Sequence, residues 1–210
     1  MLDRAGRNGG TRLPKSAHTS LPWRIHELTR DFRIEDVWAL PVSGAEDDFQ
    51  RLVQRVALGD PARSSSRAAR ILWAVRWSVG ALLGWDRADM GIGSRVRTLR
   101  ERLPADLREA PSGPRLEGAP FSSLYLLRDE WAAEIANRTM HGVMHIGWVP
   151  DGAGAYRGQM AVLVKVNGLL GRAYMAAIRP ARHLIVYPAL MSQIERQWCA
   201  PSDNPMQQAG

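Results

Sequence analysis

Apolar positions follow two different rhythms along the chain, and the change falls at Phe121. Before it the spacing is mostly helical. In FQRLVQRVALG, Phe49, Leu52, Val53 and Val56 recur on one face, and Gly59 supplies a stop. The segment SSSRAARILWAVRWSVGALLGWD predicts a further helix at about 64–84, with a Ser cluster to cap its start and Gly84 to end it. At 100° per residue Arg67 and Arg70 share one edge, while Arg76 falls among Leu72, Val79 and Leu83. A helix apolar almost all round is buried on most sides, or faces a membrane or a partner. Ahead of these, Ile25, Leu28, Phe32 and Ile34 predict a first strand in WRIHELTRDFRI, and EDVWAL a short helical turn ended by Pro41.

From Phe121 onward four strands are predicted in sequence: FSSLYLL, EWAAEIANRT, MHGVMHIGWV and YRGQMAVLVKV. The DGAG between the last two suits a hairpin loop. Helical spacing then returns between Gly168 and Trp198, first in Leu170, Tyr174 and Ile178, then in Leu184, Tyr187, Met191, Ile194 and Trp198. Pro180 and Pro188 must kink or divide this helix, since each removes a donor and crowds the preceding turn. The fold class expected is α+β: a curved antiparallel sheet gripping a long, Pro-kinked C-terminal helix, with the apolar helix at about 64–84 added.

Composition sets the boundaries. Residues 1–22 are rich in Gly, Arg and Ser and read as a flexible basic tail, 23–198 as a single domain, and 199–210 as a second flexible tail. Within the domain, 86–120 carries many charges, Gly and Pro and reads as a long surface connection, with one helical stretch in SRVRTLRERL. The net charge of +7 comes from the first twenty residues and from 61–84; the remainder is balanced. That distribution does not describe a nucleic-acid surface, and no RNA- or DNA-binding motif is present. Cys199 is the single cysteine, so no intrachain disulfide forms. No signal pattern opens the chain, and the longest apolar stretch, Ile71–Trp85, is broken by Arg76. A soluble cytoplasmic protein is expected.

VKVNGLLGRAYMAAIRPARHLIVYPAL, with Val166, Asn167, Gly171, Arg172, Tyr174, Pro180 and His183, resembles the C-terminal signature of the bacterial domain-of-unknown-function family 2867. AVRWSVGALLGWD, with Arg76 and Gly84, and the strand around His141 resemble two further segments of that family. The resemblance implies a helix-grip fold similar to START and polyketide-cyclase-like proteins, in which sheet and closing helix can enclose a ligand cavity. It implies no activity, because the family has none established.

Six residues stand out as candidate ligand-binding positions. Arg76, on a mostly apolar helix, needs either a carboxylate, with Glu130 and Glu134 as candidates, or an anionic ligand group. His141 shares a strand face with His145 and is either a satisfied structural histidine or a polar group in a cavity wall. The two lie about 13 Å apart along an extended strand, too far to share a metal, and no metal or cofactor is expected. Asn167 can cap the closing helix; Arg172 and His183 can bond to the sheet rim; His183 with Tyr174 can move protons inside a cavity. GIGSRV lacks the rest of a dinucleotide fingerprint, and neither a phosphate loop nor a nucleophile elbow is present. Three functions remain: a non-catalytic binding domain for a small hydrophobic or amphipathic ligand, a cyclase- or hydratase-type enzyme using His183, Tyr174 or His141, and a membrane-surface or partner-binding protein acting through helix 64–84. The first fits best, as no catalytic motif is found.

Overall fold

The computed structural model describes residues 10–59, 96–116, 120–137 and 139–200. The predicted helix at about 64–84, with Arg76, lies outside the described residues, as do 1–9 and 201–210.

Six antiparallel strands form one open sheet: β1 (Thr11–Leu13), β2 (Arg33–Gly44), β3 (Ser122–Leu126), β4 (Glu130–Ala136), β5 (Met140–Pro150) and β6 (Tyr156–Val166). Their order across the sheet is β1-β2-β6-β5-β4-β3. The four strands predicted after Phe121 are β3 to β6, and they meander by short connections. Period-two alternation sorts their side chains onto two faces. Trp131, Ala133, Ile146, Trp148 and Met160 go to one, Ala132, Val143, Ala161 and Leu163 to the other. Both faces are covered, so the strands carry apolar residues on each side.

The first face packs against α3 (Phe49–Ala57), at its predicted place, and against the closing helix. That helix comprises α5 (Gly168–Ala181), one π-turn (Arg182–Val186) and α6 (Tyr187–Cys199). The two prolines bracket the widened turn, which absorbs them without a break in the helix. Its first turn lies hard against the β4–β5 connection: a Cβ on Gly171 would sit 2.2 Å from the carbonyl oxygen of Thr139. The second face is covered by α1 (Ser16–Thr19), α2 (Ile25–Leu28), a 3₁₀ turn (Leu99–Arg102) and α4 (Ala105–Glu109).

Several expectations are corrected. Ile25–Leu28 is one helical turn rather than strand, and buries Ile25 and Leu28 at helical spacing. EDVWAL is not a helical turn but the middle of β2. Its apolar run is continuous because Val37 faces one layer and Trp38 and Leu40 the other. Pro41 does not end it: it sits in an irregular stretch between Ala39 and Ser43, where the ladder lacks regular register and no N–H is needed. From Gly10 on, the expected flexible tail is ordered, with β1 paired along β2 and His18 fully buried. The connection before Phe121 is not merely a surface loop, since Leu99, Leu103 and Leu107 are core residues.

Candidate functional site

Between the sheet and the closing helix lies a cavity of about 390 Å³. β5 presents Met140, Gly142 and Met144 in succession on this face, so two flexible side chains flank a position with none. Met160, Val162 and Val164 of β6 continue the floor. The closing helix supplies the roof with Tyr174, Met175, Ile178, Arg182, Tyr187, Leu190 and Ile194. Val56 and Gly59, at the end of α3, and Phe121 contribute to the walls.

One corner of this space is ionic, and a β-bulge creates it. Ile34 pairs with Leu163 and Asp36 with Val162, so Glu35 is an extra residue on β2. The bulge leaves Ile34 on the far face while turning the buried Asp36 toward the closing helix. There Asp36 Oδ2 accepts hydrogen bonds from Arg182 Nη2 (3.1 Å) and the Tyr187 hydroxyl (2.9 Å). His183 Nε2 lies 2.9 Å from Asp36 Oδ1, and Arg12 Nη2 of β1 lies 3.3 Å from the same oxygen. Glu35 stands 3.6 Å from Arg182. Burial, with the negative charge of Asp36, holds the Tyr187 hydroxyl well above the ordinary phenol range. The Arg182 guanidinium is thus neutralised by two carboxylates at the cavity edge.

The opposite face holds a second polar cluster, fully covered. His141 Nε2 lies 2.7 Å from Glu134 Oε2, and Glu134 also accepts from the Leu99 amide and the Thr98 hydroxyl. His145 Nε2 lies 2.9 Å from Glu130 Oε2, while Glu130 Oε1 accepts from the Arg24 amide. His145 Nδ1 meets His18 Nε2 at 3.1 Å. Among the described residues no three His, Cys, Asp or Glu side chains converge as metal ligands do.

The six candidate residues are therefore scattered. Tyr174 lines the cavity. His183 belongs to the Asp36 cluster. His141 is across the sheet from the cavity, with its Nε2 2.7 Å from Glu134 Oε2. Asn167 occupies the N-cap position of α5 but makes no side-chain cap bond; its Nδ2 donates to the Asn137 carbonyl at 3.3 Å and ties helix to sheet. Arg172 is exposed on α5. Arg76 lies outside the described residues, and the carboxylates named as its partners bind histidines and backbone amides. His141, Tyr174 and His183 do not meet in one place. The residues missed are Asp36, His18 and Trp23. Asp36 carried a signal, an acid inside an apolar strand run; His18 lay in the composition of a tail, and Trp23 opened the expected domain with nothing local to mark its partner.

These features define a class: an α+β protein whose antiparallel sheet closes on a long C-terminal helix over an apolar cavity. Residues 28–189 match the family described as protein of unknown function (DUF2867), and the chain belongs to that family. The match takes in β2, the cavity floor and the Asp36 cluster except Arg12; it begins after α1 and reaches only the last residue of α2. No curated protein and no solved structure shows significant similarity to the chain. Among the described residues no helix is long and apolar enough to cross a membrane.

Proposed function

We propose that the protein is a binding domain for a small, uncharged, apolar or weakly amphipathic molecule held between the sheet and the closing helix. The observation that carries this reading is the cavity itself, whose 390 Å³ falls within the range of small-molecule sites and whose walls are almost wholly aliphatic, Met and aromatic. Four methionines, Met140, Met144, Met160 and Met175, line it, and their unbranched side chains adapt to the shape of a guest. The ligand is uncharged because Arg182 is already paired with Asp36 and Glu35. An added anion would have to compete with Asp36 and Glu35 for Arg182 inside walls that are otherwise almost wholly apolar, which is costly. The helix-grip resemblance supports the same picture. Binding without chemistry is favoured over a cyclase-type reaction, since His141 is on the opposite side of the sheet from the cavity and His183 lies in the Asp36 cluster at its edge.

The test is titration of the full-length protein with N-phenylnaphthylamine, an uncharged fluorescent probe. Wild type is expected to bind it with enhanced fluorescence. Val162→Phe and Ile178→Phe, which fill the cavity from floor and roof, are expected to weaken binding about tenfold or more, equivalent to about 1.4 kcal/mol, with the far-ultraviolet circular dichroism unchanged. Absence of binding by wild type, or equal binding by both filled variants, removes the proposal.

A further inference from the structure

Three of the five histidines, His18, His26 and His145, gather where the N-terminal arm (residues 11–28) lies on the sheet. Other polar ties hold the arm as well: the β1–β2 ladder, Arg12 on Asp36, the Arg24 amide on Glu130, Gln159 Nε2 donating to the Ala17 carbonyl at 3.3 Å, and Arg102 Nη1 donating to the Leu28 carbonyl at 3.3 Å. Trp23 lies over His145 with ring centroids 5.2 Å apart. It fits only because position 147 is glycine, where a Cβ would stand 2.6 Å from the indole. We propose that the His18–His145 contact is an acid-sensitive latch, whose protonation releases the N-terminal arm while the rest of the fold stays closed.

The contact works only when the imidazoles are neutral. Both Glu130 oxygens accept, so His145 donates from Nε2 and offers Nδ1 as acceptor to the Nε2–H of His18. A first proton is taken by Glu130, whose carboxyl burial pushes up to about 7. The cluster is then uncharged, and reversed tautomers keep its hydrogen bonds. A second proton must create an imidazolium. Burial drives His18 down to about 2 and His145 down to about 3, and the neighbouring His26 of α2 adds to both. Among the described residues no other group answers that charge. Glu27 and Asp106 are bound to the Arg24 guanidinium. Asp129 is itself pushed up by burial and by Glu130. Tyr125 is a neutral phenol held above its usual range, and Lys15 is exposed.

The sign follows from linkage. A histidine lowered on docking favours the docked arm fully above its free value of 6.5, and that contribution is lost as pH falls below it. Glu130, raised on docking, acts in the opposite direction between about 7 and 4.5 and offsets one of the two protons. The opening equilibrium of the arm therefore rises about tenfold per pH unit between 6.5 and 4.5, and more steeply below. Release also removes β1 from the sheet edge and Arg12 from Asp36.

Hydrogen exchange of the full-length protein, read by mass spectrometry and corrected for intrinsic rates, tests this between about pH 7.5 and 4.5. Peptides covering the helical amides of Ala17 to Ser20 and the β1 ladder are expected to lose protection tenfold per unit below pH 6.5, while β5, β6 and the closing helix keep theirs. Flat protection in the arm, or simultaneous loss throughout the sheet, overturns the latch. Glu130→Gln removes the group that takes the first proton, so the slope should steepen toward about a hundredfold per unit. His18→Phe leaves one imidazole at the contact and should shift opening to lower pH. An unaltered profile in both variants also overturns the proposal; if neither folds, the wild-type pattern still decides it.

Discussion

Asp36 is a carboxylate inside an apolar strand, and it is stable there because four side chains from three elements surround it. Its own side chain is 1% exposed and that of Arg182 is 13% exposed, so neither charge has much water to fall back on. Asp36→Asn keeps the shape and removes the charge, leaving Arg182 with only the longer contact to Glu35. The expected cost is about 3 kcal/mol of stability, measured as a lower urea midpoint at unchanged slope. A cost below about 0.5 kcal/mol would show that the cluster is solvated and incidental. At this scale the sequence was partly legible. Period-two alternation places His141 and His145 together on one face, and places Glu130 and Glu134 on the matching face of β4. Which histidine meets which glutamate depends on strand register, Glu134 opposite Val143 and Ala132 opposite His145, which brings the partners together as diagonal neighbours.

Elements were read well where the pattern is local and poorly where an irregularity interrupts it. The closing helix shows both. Tyr187, Met191 and Ile194 are buried as the spacing predicts, but Leu184 is 77% exposed. The π-turn is the reason: a wider turn at 182–186 shifts the angular position of every residue before it relative to those after, and Leu184 swings out. Leu184→Glu is therefore expected to change stability by less than about 0.5 kcal/mol, whereas Met191→Ala, in the core, costs about 2–5 kcal/mol. Paired thermal melts of the two variants decide this; a large loss in Leu184→Glu would place Leu184 inside. The bulge at Glu35 is the strand counterpart. It reverses the facing of β2 between Ile34 and Asp36, and nothing in the alternation of RIEDVWAL announces it.

Across the described residues the sheet is buried on both sides, with an apolar cavity under the closing helix and a histidine–glutamate network under the arm. Titration at alkaline pH reports on both layers. Tyr125 lies in the layer beneath the arm and Tyr187 in the layer beneath the closing helix. Burial holds both hydroxyls above the ordinary value of 10, helped by Glu130 for the first and Asp36 for the second. A phenol raised on folding contributes stability that is complete below pH 10 and falls as pH climbs past it. The two together should lower stability by about 2.7 kcal/mol per pH unit above 10, with their phenolate absorbance appearing only on unfolding. Phenolate formation by all four tyrosines in the folded protein at that pH would contradict their burial.

Periodicity alone was enough for the strands after Phe121, for α3, for the long closing helix and for the α+β class, because each of these is set by side chains a few residues apart. The ordered arm, the ionic corner and the buried histidine pair came only with the folded chain. Their contacts join residues 127, 146 and 151 positions apart, His18 to His145, Asp36 to Arg182 and Asp36 to Tyr187. A polar residue in an apolar run, or a histidine in a Gly- and Arg-rich stretch, looks local until the sheet brings its partner to it, and only then does burial become cheaper than solvation.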